Sequence, residues 1–340
     1  MNTAVKTYTS YEALYDALRL VDLNLLMRKN QLSKIQNETV EECLDFKPVT
    51  HADMDKIYPF LLMDKGRTTD YSYAGLLMWV DYFKYSYAIV NDTLFIKGTV
   101  ENDTDTPAFS LPIGKMPLSE SLTLIKQYCA EHNIKPELSA VPEYAVKEFI
   151  DLGYTDVQPL DDWGDYLYEA TPLATLSGKK MGKKRNHVNK FDSLYPNARI
   201  EPLTKENVDK AIEFMDVVDS EGDATPMAIE ERRMTRQLLD YVKEGDIILE
   251  GAVLSVDGEV AAFTIGDMKH DTLFVHVEKA SRKFDGSYEK INKEFANMMC
   301  QKYPEIRYIN REDDSGDEGL RRAKQSYHPV DILKKYNICL

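Results

Sequence analysis

The chain has 340 residues, of which 43% are hydrophobic, and its formal net charge is −15. This length is enough for two domains with cores of their own, and the acidic balance argues against indiscriminate coating of DNA. No apolar run approaches the roughly 18 residues of a membrane-spanning helix, and we expect no signal peptide. The four cysteines are scattered without a CxxC pair, which predicts reduced thiols and a cytoplasmic protein.

Residues 1–45 predict a helical N-terminal extension. Leu14, Leu18, Val21 and Leu25 recur at the spacing of one helix face. We interpret this extension as a packing helix or an oligomer contact, because it carries no pattern typical of a catalytic group.

A pattern that begins at residue 46 returns at residue 200. Residues 46–60 align with residues 200–214 without a gap, and five of the fifteen positions carry the same residue type. Five identities also arise by chance, but both copies continue into a β-hairpin signal, Asn91-Asp92 in the first and Asp257-Gly258 in the second. Self-similarity at such a long period indicates a duplicated domain.

Strands and helices then alternate in both halves, which predicts an α/β (α+β) protein with a mixed, twisted sheet and helices on both faces in each half. The first half ends in a predicted β pair, 154–158 and 165–169, and the second in a short closing strand. We therefore divide the chain into a first domain (46–170), a basic connecting segment (171–199) and a second domain (200–340).

The connecting segment contains the most basic stretch of the chain. Ser177–Lys190 carries six Lys/Arg residues and no acidic one, which predicts attraction of a polyanion such as RNA, a phosphorylated cofactor or an anionic lipid head group. A solvated, lysine-rich linker is the alternative interpretation. The candidate phosphate-binding residues of this basic strip are Lys179, Lys180, Lys183, Lys184, Arg185 and Asn186.

Two stretches, DYLYEATPLATLSGKKMGKKRNHVNKF (165–191) and NREDDSGDEGLRRAKQSYHPV (310–330), resemble a known family. With the strand–helix order, residues 46–340 resemble a tandem of GNAT domains, the fold of the acetyl-CoA-dependent N-acetyltransferases. The closer resemblance is to the C-terminal domain of phosphatidylglycerol lysyltransferases and to related stand-alone bacterial proteins. The resemblance implies two GNAT lobes and transfer of an amino acid from aminoacyl-tRNA to a lipid head group; Fem-type peptidoglycan aminoacyltransferases have a similar duplicated design.

The GNAT resemblance also implies a phosphate-binding loop before a helix of the second half. Arg282 and Gly286 supply a cation and one glycine there, whereas Asp285 lies where an anion is expected. An ordinary strand–helix turn is the alternative, and residues 113–117 of the first half carry no phosphate signature. Acetyl-CoA or another acyl-CoA is therefore a weaker expectation than aminoacyl-tRNA, and no metal-ligand spacing is present among the six histidines.

Aminoacyl transfer needs a proton acceptor, an oxyanion-stabilising group and a proton donor for the leaving oxygen. Glu278 is the candidate for orienting or deprotonating the acceptor, Lys324 for meeting the oxyanion, and Tyr327, by the GNAT resemblance, for protonating the leaving group. Arg321 shares a helix face with Lys324, and Asn310 begins the second family-like stretch; both are candidate substrate-binding residues. Surface ion pairs and a solvated helix face are the alternatives for these charges.

The sequence thus predicts an aminoacyl- or acyltransferase whose second lobe is catalytic and whose first lobe is a degenerate copy that shapes an interlobe cleft. Aromatic residues clustered between Tyr71 and Tyr87 are a core or interlobe wall, or alternatively part of a substrate pocket. The expected donor is aminoacyl-tRNA and the acceptor an amine or hydroxyl, with peripheral contact to anionic lipid as a further expectation. The other hypotheses are a CoA-dependent N-acetyltransferase and a non-catalytic RNA- or nucleotide-binding relative.

Overall fold

The structure, a computed structural model, describes residues 43–101, 103–221, 225–245 and 247–340. The helix predicted for residues 1–45 lies almost wholly outside these ranges. The described residues form two mixed sheets and ten α-helices. We call the first sheet with its helices lobe A and the second sheet with its helices lobe B.

The sheet of lobe A has the strand order β1–β2–β3–β4–β6–β15–β7, with β5 paired to β3. Only β4 and β6 run parallel. Its strands are β1 (Lys47–Pro48), β2 (Ser86–Val90), β3 (Thr93–Val100), β4 (Asp103–Phe109), β5 (Ile113–Gly114), β6 (Glu137–Pro142), β7 (Val157–Pro159) and β15 (Lys335–Cys339).

The sheet of lobe B has the order β14–β8–β13–β12–β11–β10–β9, and only β12 and β13 run parallel. Its strands are β8 (Asp165–Glu169), β9 (Arg199–Pro202), β10 (Glu250–Val256), β11 (Glu259–Lys269), β12 (Thr272–Ala280), β13 (Tyr308–Asn310) and β14 (Asp331–Leu333). Three antiparallel steps followed by one parallel step recur in both sheets, so the predicted tandem of GNAT-like α/β units is confirmed.

The helices alternate with the strands as the sequence predicts. Their bounds are α1 (Met54–Leu61), α2 (Tyr73–Met78), α3 (Leu118–His132), α4 (Glu143–Asp151), α5 (Ala170–Thr175), α6 (Gly182–Leu194), α7 (Val208–Glu221), α8 (Pro226–Glu244), α9 (Ser287–Lys302) and α10 (Glu318–Gln325). The basic strip, predicted as part of a connecting segment, is largely α6, and both α5 and α6 pack against α9.

Local sequence explains the turns between these elements. Asn91, Asp92, Asp257 and Gly258 all have positive φ, as two-residue hairpin turns require. Asp317 is the N-cap of α10, and its Oδ1 accepts from the backbone N–H of Leu320 at 2.6 Å.

The two lobes exchange a strand, which the sequence did not predict. β8, expected to pair with its neighbour β7 in the first domain, instead lies between β13 and β14 in lobe B. β15, the closing strand of the second half, lies between β6 and β7 in lobe A. The predicted closing β pair of the first half is therefore wrong, because each half completes the sheet of the other.

The exchange places a buried ion pair where the two strands begin. Lys335, the first residue of β15, has its Nζ 2.9 Å from Oδ1 of Asp165, the first residue of β8, and 2.8 Å from Oδ2 of Asp70. Lys335 is 2% exposed and Asp165 is fully buried. Burial opposes the charge on Lys335, but Asp165 and Asp70 outweigh it and raise the pKa of the lysine well above its usual value.

Apolar packing also joins the lobes. One core cluster runs from Ile57 and Leu61 on α1 to Val253 and Phe263 in the lobe B sheet. A second cluster lies within lobe A and includes Ile338 from the exchanged strand β15. The lobes are therefore held together by a continuous core as well as by their exchanged strands.

We predict that Lys335→Met lowers the free energy of unfolding by about 3–5 kcal/mol, because it leaves buried carboxylates without their cation. Urea denaturation measures the loss. The neighbouring Lys334→Met is the matched control: Lys334 forms an exposed pair with Glu143, and we expect a loss below about 1 kcal/mol. Equal losses in the two variants would contradict the importance of the buried pair.

Candidate functional site

The candidate site lies where two parallel strands of lobe B separate. β12 and β13 are paired up to Phe274 and Asn310, after which β12 continues to Ala280 paired with β11 and no longer with β13. The gap opens into a cavity of about 890 Å³ between the lobes. Open α/β sheets commonly bind ligands where strands diverge at their carboxyl ends. Lobe A contributes the aromatic residues Trp79, Phe83 and Tyr85 to its wall.

Glu278 lines this cavity, but both of its carboxylate oxygens are engaged. Oε1 accepts from Nη2 of Arg311 at 2.9 Å, and Oε2 accepts from the amide of Asn292 at 3.0 Å. The side chain is 11% exposed. This geometry favours Glu278 as the partner that holds Arg311 rather than as a free proton acceptor.

Tyr327 is a buried residue of the same cavity. The Nζ of Lys184 lies 4.1 Å from its ring centroid, and the guanidinium carbon of Arg311 lies 4.9 Å from it. Burial raises the pKa of Tyr327, so its hydroxyl keeps its proton at neutral pH. A protonated phenol beside two cations fits the predicted role of proton donor.

Lys324 also lines the cavity, and its ammonium is held by backbone carbonyls. Nζ donates to the carbonyl of Arg311 at 2.6 Å and to that of Asp313. Burial lowers the pKa of Lys324. Two of its three N–H groups are thus committed to the loop after β13, which leaves one for a ligand.

The basic strip meets the cavity through one residue. Of its predicted phosphate-binding side chains, Lys184 lines the cavity and pairs with Glu289 at 3.3 Å. Arg185 instead donates to the carbonyls of Leu176 and Gly178, which fixes the loop before α6. The remaining predicted residues are exposed to solvent: Lys179, Lys180, Lys183 and Asn186.

One of the two candidate residues of the predicted phosphate loop lies at the site. Arg282 lines the cavity mouth. Gly286 has φ +87° and packs against α6: a Cβ there would lie 2.9 Å from the carbonyl oxygen of His187. Asp285 pairs with Lys190 at 2.5 Å across the same contact. The start of α9 is therefore covered by α6, and Gly286 serves helix packing rather than close approach of a phosphate.

Asn310 and Arg321 have structural partners. Asn310 is fully buried and donates to the carbonyl of Arg67 at 2.6 Å and to Asp165 at 2.8 Å. Arg321 forms ion pairs with Asp314 and Asp162, each at 2.7 Å. Both side chains therefore have structural partners, and their role in substrate binding stays a prediction.

Part of the cavity lining is acidic. Asp70, Glu101 and Asp313 belong to it, and Lys335 is a cation of the same lining. Burial raises the pKa of Glu101 well above its usual value, and burial also raises that of Asp313. Glu101 is 8% exposed, and within the described ranges no donor hydrogen-bonds to its carboxylate. A buried, unsatisfied carboxylate facing a cavity suits a cationic ligand.

A buried histidine connects this cavity to both lobes. The Nε2 of His276 lies 2.7 Å from Asp267, and its Nδ1 lies 2.8 Å from Glu312. Asp267 also accepts from the backbone N–H of Tyr73 at the start of α2. Burial by itself lowers the pKa of His276, but the two carboxylates outweigh it and raise the pKa to about 10.

Sequence reasoning missed most of the cavity's polar groups. Neither Asp313 nor His276 is among the site residues predicted from the sequence, although both line the cavity. The signal that could have indicated these groups is the run Asn310–Asp314 at the end of a predicted strand, in which four of the five residues are charged. Glu101 and Asp70 carried no local signal, because only the packing of lobe A on lobe B brings them to the site.

The fold and the cavity together define a two-lobed protein with a GNAT-like acyltransferase fold and a polar interlobe site. None of the helices in the described ranges is long and apolar enough to cross a membrane. Residues 64–339 match the family described as "Phosphatidylglycerol lysyltransferase, C-terminal". The chain belongs to this family.

Solved structures with the same fold include a conserved protein of unknown function from Bacteroides thetaiotaomicron. It is 32% identical, with a TM-score of 0.78 over 87% of this chain and 99% of that chain. L-PGS from Bacillus licheniformis is 16% identical, with a TM-score of 0.59 over 89% of this chain and 94% of that one. An uncharacterised protein of Mycoplasmoides gallisepticum is 24% identical over 51% of this chain, a match that spans about half (54%) of its own length.

We predict that the stability contributed by His276 disappears at alkaline pH. Because its folded pKa of about 10 exceeds the unfolded value of about 6.5, this stability is complete below the unfolded pKa and is lost as the pH rises through 10. Denaturant unfolding between pH 7 and pH 10 should show a steeper loss in the wild type than in His276→Gln. The exposed His187→Gln is the control and should follow the wild type.

An NMR titration of the His276 ring in the wild-type protein gives the same pKa directly. It remains informative where His276→Gln does not fold. A ring that loses its proton near pH 6.5 would contradict the assignment.

Proposed function

We propose that this protein is an aminoacyltransferase that moves an aminoacyl group from aminoacyl-tRNA to an amine or hydroxyl acceptor. The observation that carries the proposal is that one interlobe cavity holds cations together with a carboxylate that accepts from no donor of the described residues. Lys184, Arg282 and Arg311 line this cavity together with Glu101, and Glu289 and Glu278 pair with Lys184 and Arg311. A tRNA end presents phosphates together with an ammonium group, and this arrangement complements both.

The acidic part of the cavity supports a cationic aminoacyl group. The aromatic side chains Trp79, Phe83 and Tyr85 share this cavity with Glu101 and Asp70. Carboxylates and aromatic faces together bind ammonium groups through ion pairing and cation–π attraction. The family's described activity, lysyl transfer, concerns an amino acid with a second ammonium group, which is consistent with this chemistry.

The groups beside Tyr327 support the acyl-transfer step. When the acceptor attacks the ester carbonyl, negative charge develops on its oxygen, and the free N–H of Lys324 would stabilise that charge. The ribose oxygen that leaves needs a proton, which Tyr327 would supply from a hydroxyl whose pKa burial has raised. Arg311 and Lys184 lie close enough to the Tyr327 ring to favour the phenolate that forms.

The contact between α6 and α9 argues for tRNA over coenzyme A as the donor. A GNAT cofactor places its pyrophosphate on free backbone N–H groups at a helix start. Here the carbonyl of His187 and the side chain of Phe191 pack against Gly286 at that position. The exposed lysines of α6 and its preceding loop remain available outside the cavity, where the backbone of a longer polyanion would pass.

We predict that the triple variant Lys179→Glu, Lys180→Glu and Lys183→Glu weakens tRNA binding more than tenfold at about 0.1 M salt and lowers the salt-dependence slope by about 3. These side chains are exposed, so the fold should be preserved. The matched control reverses Lys56, Lys135 and Lys147, three exposed lysines of lobe A. Fluorescence anisotropy with bulk tRNA measures both, and equal losses would exclude the basic strip as a specific tRNA contact.

We predict that the wild-type protein accelerates loss of the ester from tRNA charged with a cationic amino acid more than from tRNA charged with an acidic one. Glu101→Gln should reduce this preference at least tenfold and should raise the melting temperature, because it removes a buried, unsatisfied carboxylate. Acid-gel analysis of charged tRNA and thermal unfolding measure the two effects. Binding and turnover of acetyl-CoA, without any effect on charged tRNA, would instead favour an N-acetyltransferase.

A further inference from the structure

Three side chains form a continuous line from lobe A to the cavity. Asp267 on β11 accepts from the backbone N–H groups of Tyr73 and Ala74, at 2.6 and 3.3 Å, and so caps α2 of lobe A. Its other oxygen is 2.7 Å from Nε2 of His276. The second ring nitrogen of His276 is 2.8 Å from Oε1 of Glu312, which lies in the cavity wall. This line was not expected from the sequence.

The geometry fixes the protonation of the histidine. A neutral imidazole carries one N–H and can donate to only one acceptor. Both nitrogens of His276 face carboxylate oxygens at hydrogen-bond distance, and its side chain is fully buried. The imidazolium form donates to both, and the buried Asp267 accepts with its other oxygen from the α2 N–H groups.

Glu312 is the only open end of this line among the described residues. Its side chain is 21% exposed, and Oε1 accepts from His276 and from the hydroxyl of Thr69 at 3.3 Å. Within the described ranges no group hydrogen-bonds to Oε2. Glu278, by comparison, has Arg311 and Asn292 on its two oxygens.

The backbone at Glu312 is held in an unusual conformation. Its φ is +58°, in the left-handed region that residues with side chains seldom adopt. Two hydrogen bonds keep it there: its N–H donates to Asn310 at 2.6 Å, and its carbonyl accepts from Tyr166 at 3.0 Å. The buried Asn310 therefore acts on Glu312. Strain of this kind is maintained mainly where it places a functional side chain.

We propose that Glu312 is the catalytic proton acceptor of this site and that Asp267 and His276 are its positioning residues. The assignment rests on the proposed acyl transfer and replaces Glu278 in that role. The acceptor nitrogen or oxygen forms a bond to the acyl carbon and gives its proton to Oε2 of Glu312. The bond from that carbon to the ribose oxygen breaks as Tyr327 gives its proton to the oxygen. Solvent then returns the proton from Glu312 to Tyr327.

Charged groups from three elements surround the Glu312 carboxylate. His276 approaches from β12, Arg311 and Asp313 flank it along the loop after β13, and Lys324 approaches from α10. These groups surround the carboxylate with fixed charges of both signs, and His276 is the one that faces its Oε1 directly. Removing the charge on His276 should therefore shift the pH dependence of the reaction.

The test compares Glu312→Gln with Glu278→Gln under single-turnover conditions. Wild-type protein bound to charged tRNA is mixed with hydroxylamine, a minimal amine acceptor, and loss of the aminoacyl ester is followed. We expect Glu312→Gln to lower the rate at least 100-fold while the Kd for charged tRNA changes less than threefold. Glu278→Gln should retain a larger share of the rate, and the exposed Glu305→Gln should match the wild type.

The positioning role is tested by the pH profile. In His276→Gln, the acidic limb of the pH–rate profile should move to higher pH, because the positive charge beside Glu312 is gone. A merely structural role would lower the rate equally at every pH. Glu312→Asp keeps the charge but shortens the side chain; it serves where Glu312→Gln does not fold, and should lose rate without moving the acidic limb.

The outcomes separate this proposal from the proposed function. A wild type that loses no ester faster than free charged tRNA, with any amino acid, overturns both. If the wild type is active and the rate of Glu312→Gln is within threefold of the wild-type rate, the role of Glu312 alone is overturned. The proposed aminoacyl transfer is then unaffected. A profile whose acidic limb is unchanged in His276→Gln overturns the positioning role of the histidine.

Discussion

The architecture depends on the ion pair between Lys335 and Asp165, the first residues of the two exchanged strands. Each strand crosses into the sheet of the other half, so neither sheet is complete without it. A buried charge pair contributes little net stability when it is replaced as a whole, but breaking one partner is strongly unfavourable. The pair therefore fixes the register of the two strands, because strands shifted by one residue would leave these charges buried and apart.

This ion pair also lies next to the cavity. Lys335 and Asp70 line the cavity, and Asp165 also accepts from the backbone N–H of Thr69 and from the buried Asn310. Asn310 ends β13 and hydrogen-bonds to the strained Glu312. The strand exchange and the candidate catalytic loop are thus connected through shared side chains, and the same packing that closes the two sheets holds the polar site open between them.

The cavity combines groups that are costly to bury separately. Glu101 is a nearly buried acid, His276 lies between two carboxylates, and Arg311 has one nitrogen, Nη1, without a hydrogen-bond partner in the described part of the chain. Natural proteins accept such costs mainly at functional sites. A ligand with both an anionic and a cationic end would satisfy these groups at once, which is the physical reason for favouring an aminoacylated polyanion.

The order of strands and helices, the duplication and the family resemblance all follow from patterns in the sequence. Hairpin turns such as Asn91-Asp92, helical periodicity and strand–helix alternation are local signals, and the resemblance of residues 310–330 needed no coordinates. Four candidates named from the sequence line the cavity in the structure: Lys184, Glu278, Lys324 and Tyr327. The exchange of β8 and β15 between the sheets became clear from the tertiary structure alone. The same holds for the structural partners of Arg321 and Gly286. It holds as well for the presence of Asp70, Glu101 and Glu312 in one cavity. The physical reason is sequence separation. Asp70 and Lys335 are 265 positions apart, and no local pattern encodes which distant carboxylate a buried cation will contact.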